Sequence, residues 1–259
     1  MGRERLAITF LGTGTSHGIP MIGCDCDVCR SDDPRDRRNR ASVAVRVPDG
    51  RVILIDVPPE FRLAALATAL ERVDAVLLTH AHADHIMGSD DLRRYNNLRG
   101  GPIDCYANAA TVGVMRRVFG YAEGPYTNPD RPSLRLRAID GPCDIAGVTV
   151  RPVELLHGRL PILGYRIGRF AYCTDVSAIP DASRPLLEDL DLLVLDALRY
   201  RPHPTHFNLA EALAAIETLA PRRALLTHIA HEISHAGTSA QLPDNVALAW
   251  DGQHVEAEL

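Results

Sequence analysis

The stretch Thr79-His80-Ala81-His82-Ala83-Asp84-His85 places three imidazoles and a carboxylate within six consecutive positions, directly after the apolar run Ala75-Val76-Leu77-Leu78. A short apolar, β-branched run reads as a buried strand, so the cluster falls where that strand ends. In an extended or turning segment His80 and His82 face one side, whereas Asp84 and His85 lie beyond the turn and reach a second point nearby. One short loop can therefore supply ligands to two cations. Imidazole and carboxylate together suit Zn²⁺, and also Mn²⁺ or Fe²⁺.

Three further candidate ligands each follow an apolar run of their own: His157 after Val153-Glu154-Leu155-Leu156, Asp175 after Ala171-Tyr172-Cys173-Thr174, and His228 after Leu225-Leu226-Thr227. Strand ends are where open α/β sheets collect their ligands. A single loop histidine such as His157 is ordinarily a satisfied polar residue, but beside the 80–85 cluster the set points to metal. Around it the chain alternates strand-like and helix-like patterns. Residues 6–11 read as a strand, 42–47 and 51–57 as a hairpin across Pro48-Asp49-Gly50, 59–73 as a helix opening on proline, and 74–79 as the strand before the cluster. A strand at 103–107 and a helix at 109–119 lead to residues 121–132, a Gly- and Pro-rich loop or lid. Strands at 148–155, 163–167 and 170–174 follow, then a short helix at 185–190, a strand at 192–196, an amphipathic helix at 208–219, a strand at 224–227, and a final hairpin from 246–250 and 254–258. No low-complexity linker interrupts this, so residues 1–259 read as one α/β domain with sheets inside and helices outside.

With 28 Lys+Arg against 33 Asp+Glu, the chain has no basic excess to hold a polyanion, and long nucleic acid is not expected as a partner. No apolar run approaches the ~20 residues of a membrane span, and Met1-Gly2-Arg3-Glu4-Arg5 leads into a strand-like segment rather than a signal peptide, so a cytoplasmic protein without a membrane partner is expected. A homodimer is compatible with the sequence but not required by it. The arginines at 35, 37, 38 and 40, interleaved with Asp32, Asp33 and Asp36, read as a solvated loop with local ion pairs. His17 and His235 have ordinary loop explanations and are assigned no role.

Half of the six cysteines crowd into Cys24-Asp25-Cys26-Asp27-Val28-Cys29. In a reducing compartment that crowding favours metal over disulfides, with reduced, metal-free thiols as the alternative. Three thiolates need a fourth donor to close a tetrahedral site. His231 is the candidate, because three residues past His228 a turn can aim the two imidazoles at different metals; a structural zinc on Cys24, Cys26, Cys29 and His231 follows.

The 80–85 cluster resembles the H-x-H-x-D-H signature of the metallo-β-lactamase superfamily. By that resemblance His80, His82 and His157 hold one cation, Asp84, His85 and His228 hold the other, and Asp175 bridges them; the whole chain takes an α/β fold, the four-layer αβ/βα sandwich. A narrower resemblance covers Leu11-Gly12-Thr13-Gly14-Thr15-Ser16, the cysteine stretch, Thr174-Asp175 and Leu226-Thr227-His228-Ile229-Ala230-His231. These are similar to the phosphodiesterases that open phosphoribosyl 1,2-cyclic phosphate in carbon-phosphorus lyase pathways, and Asp90-Asp91-Leu92-Arg93-Arg94-Tyr95-Asn96 is similar to the broader cyclic-phosphodiesterase-like branch. His206 matches in position the histidine that contacts the phosphate or protonates the departing oxygen; it is equally placed to fix the helix start before Asn208. The resemblance implies two active-site metals, Zn or Mn, one structural Zn, a small phosphodiester substrate, a bridging hydroxide as nucleophile, and Asp84 and His206 as catalytic residues. Relatives of the same fold imply other functions: a tRNA 3′-processing nuclease, for which no separate basic arm is seen, a thioester or β-lactam hydrolase, and a factor of pyrroloquinoline quinone biosynthesis, which also carries an N-terminal cysteine cluster.

Overall fold

A computed structural model describes residues 4–259. Among the described residues two seven-stranded mixed sheets form. The first has the order β14 (His254–Glu258), β1 (Arg5–Gly12), β2 (Ser42–Arg46), β3 (Val52–Ile55), β4 (Ala75–Leu77), β5 (Ile103–Ala107), β6 (Leu134–Ala138). The second has the order β13 (Val246–Leu248), β12 (Arg223–Thr227), β11 (Leu192–Asp196), β10 (Phe170–Cys173), β9 (Leu160–Ile167), β8 (Val148–His157), β7 (Cys143–Ile145). The alternation of side chains along each strand explains the layering. Leu6, Ile8 and Phe10 of β1 meet Phe170 and Tyr172 of β10 in the core between the sheets, while Ala171 and Cys173 face the other way.

On the outside of the first sheet lie α1 (Phe61–Ala67), the single turn α2 (Ala83–Ile86), α3 (Leu92–Arg99) and α4 (Ala109–Phe119), whose Phe61, Ile86, Leu92, Val112 and Met115 cover Leu54 and Val76. On the second, Ala212, Ile216 and Leu219 of α5 (Leu209–Leu219) cover Leu193 and Leu195; the short α6 (His235–Ser239) follows β12. This is the four-layer αβ/βα sandwich. Strands β3 to β6 run parallel, as do β10 to β13, so their carboxyl ends gather at one edge of the sandwich.

Several elements differ from the sequence reading. The expected final hairpin does not form: β13 pairs in parallel with β12 while β14 pairs antiparallel with β1, so residues 249–253 carry the chain from one sheet to the other. The helix expected over 59–73 stops at Ala67, where the Thr68 hydroxyl turns back to the Ala64 carbonyl and Ala69 takes φ 50°. In place of a helix at 185–190 there is a 3₁₀ turn at Asp181–Leu187, with Pro185 inside it lacking an amide proton to donate. The loop at 121–132 joins the end of α4 to the start of β6, both at the edge opposite the carboxyl ends. Tyr121 Oη donates to Asp90 Oδ1 (2.7 Å), Tyr126 Oη to Asn97 Oδ1 (2.9 Å) and Arg93 Nη1 to the Asp130 carbonyl (2.9 Å), so it is tethered to α3 and to the 3₁₀ turn Ser89–Asp91 before it. Arg38 is fully buried rather than solvated. No helix of the described residues is long and apolar enough to cross a membrane.

Candidate metal centres

The 80–85 cluster begins on a staple supplied by the neighbouring parallel strand of the same sheet. Asp56, immediately after β3 and fully buried, accepts from the Thr79 amide (Oδ1, 2.8 Å) and the Thr79 hydroxyl (Oδ2, 2.8 Å), and its Oδ2 lies 2.7 Å from His85 Nδ1. A carboxylate on Nδ1 fixes the ring and leaves Nε2 as the free donor atom. The chain then runs extended through His82 and turns into α2, which carries Asp84 and His85.

Two groups of ligand atoms result, each with all members within 4.8 Å of one another. In the first, His80 Nε2 lies 2.9 Å from His82 Nδ1, and His157 joins them with ring centroids 5.1 Å from His82 and 5.5 Å from His80. His157 Nδ1 donates to the Thr205 carbonyl (2.7 Å), which again frees Nε2. In the second, His85 Nε2 is 3.3 Å from both Asp84 Oδ2 and Asp175 Oδ1, and His228 Nε2 is 3.4 Å from Asp175 Oδ2. Asp175 lies between the groups, its Oδ2 also 3.9 Å from His80 Nε2. Asp56, Asp175 and His228 all hold φ near +60°, a conformation that costs a non-glycine residue on the order of 1–3 kcal/mol and persists only where its surroundings enforce it.

The chemistry of these donors fits divalent cations. His85 Nε2 and His228 Nε2 are buried and have no hydrogen-bond partner among the described residues, an expensive state that a cation relieves. Burial works to raise Asp84, but the His228 and His85 rings beside it overcome burial and hold the carboxyl below its usual range. Asp175 is likewise pressed upward by burial and held well below by the charges of His228 and His85. Burial, then His85, pushes His80 well down, and burial also lowers His157, so both offer neutral imidazoles. At His85 burial is outweighed by Asp175 and Asp56, which draw positive charge to this point. Metal binding requires anionic carboxylates and neutral imidazoles. The carboxylates, His80 and His157 stand in those states, whereas a cation would displace the proton that the neighbouring carboxylates favour on His85 and on His228, where burial is outweighed by Asp175 and the ring is raised to about 8.

Beside both groups sits His206. Its Nδ1 lies 2.9 Å from Asp196 Oδ2, and its ring stacks on His228 (4.7 Å, 13°) and meets His157 edge-on (4.5 Å). Asp196, fully buried at the end of β11, also accepts from the Val176 amide (3.0 Å) and stands 3.6 Å from His228 Nδ1. Just downstream, Asn208 and Glu211 exchange hydrogen bonds in a capping box that anchors the start of α5. Outward of His206 is His203, with ring centroids 5.1 Å apart. Asp56 and Asp196 escaped the sequence reading, although each ends an apolar strand as Asp175 does: Val52-Ile53-Leu54-Ile55-Asp56 and Leu192-Leu193-Val194-Leu195-Asp196.

In a third group, Cys24, Cys26 and Cys29 place their Sγ atoms 3.1, 3.4 and 3.8 Å from His231 Nδ1. The Cys29 backbone draws the Cys26 thiol down to about 7, while burial pushes Cys29 up to about 11. All six cysteines are free. The set supplies four donors of the kind that close a tetrahedral zinc site. His17 is exposed, and His235 packs its ring on Trp250 (5.7 Å); neither enters a metal-competent group among the described residues.

Residues 51–229 match the family model of the Beta-lactamase superfamily domain. The chain is 39% identical over 249 residues to the octanoyltransferase of Porphyromonas gingivalis, a match covering 94% of this chain and 50% of that protein, so it spans about half that relative's length. It is 25% identical over 233 residues to coenzyme PQQ synthesis protein B of Xanthomonas axonopodis pv. citri, covering 76% of this chain and 74% of that one. Among solved structures it superposes on a diphosphatase of the PhnP family with a TM-score of 0.92 at 43% identity, over 98% of both chains. Zn(2+)-bound PqqB from Methylobacterium extorquens shares the fold at 20% identity, with a TM-score of 0.78 over 96% of this chain and 99% of that one. The chain therefore belongs to the metallo-β-lactamase superfamily, as a hydrolase-fold member that resembles the PhnP family.

Proposed function

We propose that the chain is a two-metal phosphodiesterase acting on a small cyclic phosphate of the phosphoribosyl 1,2-cyclic phosphate kind, with residues 1–259 working as one hydrolase domain. His80, His82 and His157 hold one divalent cation and Asp84, His85 and His228 the other, Asp175 joins them, and Zn²⁺ and Mn²⁺ both suit the donors. Cys24, Cys26, Cys29 and His231 hold a structural Zn. One observation carries the reading: the group of Asp84, His85, Asp175 and His228 lies against that of His80, His82 and His157, with Asp175 Oδ2 3.9 Å from His80 Nε2, and a further buried imidazole, His206, stands beside both with a carboxylate of its own.

When bound, the pair of cations supplies a water acidic enough to ionise near neutral pH and positive charge for the phosphate oxygens. Asp84, held as an anion, orients that water toward phosphorus. His206 commits Nδ1 to Asp196 and keeps Nε2 for the phosphate or the departing oxygen. Burial, then His228, pushes His206 down to about 3, so the acid role requires the negative charge of the substrate beside it to restore the proton. The capping box at Asn208 limits how far His206 can drift.

A second reading, cleavage of a diphosphate bond, is favoured by the 43% identical diphosphatase of the PhnP family. Metal-loaded protein assayed on a cyclic phosphodiester, a diphosphate diester and a thioester separates the possibilities. Turnover of the cyclic diester is expected. Activity on the diphosphate diester without it transfers the assignment to the second reading, and activity on the thioester alone overturns both.

A further inference from the structure

Arg38 has a fully buried side chain, and it reaches the loop that follows β12. Its Nη1 donates to the Ala230 carbonyl (3.2 Å), and its Nη2 to the Ile233 carbonyl (2.9 Å) and to Asp36 Oδ1 (2.8 Å). The same Asp36 oxygen accepts from the His235 amide at 2.8 Å. The backbone of Arg38 exchanges two hydrogen bonds with Ile19, just before the cysteine stretch, and Ile229 is tied to Thr13 and Thr15 on the N-terminal side. Within this frame lie His228 and His231, three residues apart and facing different ligand groups, with His228 at φ 58°. The carbonyls that Arg38 grips bracket His231.

We propose that Arg38 is a positioning residue that couples the cysteine site to the dinuclear centre, by fixing the carbonyls of Ala230 and Ile233 in the one loop shape that delivers His228 and His231 to their separate groups. The inference rests on the ligand sets assigned under the proposed function. A guanidinium is suited to the task because its planar fork donates in several fixed directions at once, and a lysine ammonium at the end of a flexible stem does not reproduce that geometry. Because both imidazoles ride on the same short loop, loosening it at Arg38 disturbs His228 and His231 together and leaves His80, His82 and His157 in place.

The test is an equilibrium metal titration of the full chain, stripped of metal and then loaded with Zn²⁺ against a competing chelator. Cys26→Ser, Asp84→Asn and His82→Ala identify which binding step belongs to which group. Arg38→Lys is expected to weaken the steps identified by Cys26→Ser and Asp84→Asn at least tenfold while the step identified by His82→Ala changes less than threefold. In a Cys26→Ser background, Arg38→Lys should add a smaller loss at the Asp84 step than it causes in the otherwise unaltered chain, the non-additivity expected of residues acting through one loop. Equal weakening of all three steps, no weakening, or strict additivity overturns the proposal. Should Arg38→Lys fail to fold, Asp36→Asn, which keeps both carbonyl contacts of Arg38, is expected to give the same pattern at smaller amplitude, and a uniform loss there overturns it equally. If Asp84→Asn and His82→Ala leave every step unchanged, the ligand assignment itself falls, and this inference with it; if they act and Arg38→Lys does not, only the inference falls.

Discussion

The histidine and aspartate cluster and the cysteine cluster meet across the loop at 228–231, yet they are drawn from the chain in different ways. The first takes its donors from the ends of β4, β8, β10 and β12 and the turn after β4, and the buried carboxylates Asp56 and Asp196 hold the rings behind it. Two of its members, Asp175 and His228, sit in left-handed backbone. The second takes three donors from six consecutive residues in a loop, with two half-buried thiols and one buried thiol near one imidazole. A sheet edge can hold many side chains at fixed separations, with donors shared over two positions and room for water. A cysteine-rich loop closes on four donors and leaves no open place. The first arrangement suits chemistry, and the second holds a loop in place.

That contrast breaks most visibly at Asp84. Asp84→Ala is expected to lower kcat on any phosphodiester by roughly 10³-fold, within the range attributed to proton-transfer groups, with the circular dichroism spectrum unchanged. Retention of activity in that variant would transfer the chemistry elsewhere. Next in size is His206→Ala, expected to cost ~10²-fold on an unactivated diester and far less on a p-nitrophenyl diester, whose leaving group needs no proton. Equal losses on the two substrates would assign His206 to phosphate binding instead.

The sequence exposes the cluster because six neighbouring positions carry four donors, and it exposes Asp175 and His228 because an apolar run stops at each. It hides Asp56 and Asp196 for a related reason: a lone acid after a strand looks like any strand terminus until the fold brings it against an imidazole nearly thirty positions away, as Asp56 meets His85, or ten away, as Asp196 meets His206. Arg38 is hidden by company, since a run of arginines among aspartates is usually solvent-facing, and only the loop laid over it by β12 makes it a core residue. The missing final hairpin has the same root. Local pattern identifies β13 and β14 as strands, but their partners, β12 and β1, are set by the packing of two sheets.

The carboxylate behind His206 sharpens the comparison further. Asp196→Asn keeps the size of the side chain and weakens its hold on the ring, so a loss of about tenfold in kcat is expected, at the lower end of what outer partners of metal ligands contribute. Combined with His206→Ala it should add little, because the two act as one unit. For the cysteine cluster the expectation is reversed. Cys24→Ser should lower the metal content by one equivalent and Tm by ~10 °C, the shift that a few kcal/mol produces in a chain of this size, with kcat retained at saturating metal. A Cys24→Ser protein with unchanged Tm would remove the structural reading of that site.

The smallest effect concerns Asp251, which sits between the two sheets' final strands and ties the N-terminal loop in place. Its Oδ1 accepts from the Thr13 hydroxyl (2.7 Å) and its Oδ2 from the Asn39 amide (2.6 Å). Burial pushes this carboxyl up to about 7, even though hydrogen bonds from Asn39 and Thr13 pull it down. Because the folded value lies above the unfolded one, the folded chain holds this proton more tightly. The contribution is complete below pH ~4 and is lost as the pH rises through about 7. Asp251→Asn cannot titrate, so the difference in unfolding free energy between the parent and the variant should shrink by on the order of 2 kcal/mol between pH 5 and 7, and then level off. Denaturant titrations of both proteins at several pH values measure that difference with the other titrating groups cancelled. A difference that stays flat over this window, or grows with pH, would mean that Asp251 is ionised in the fold and that its partners, not its burial, control it.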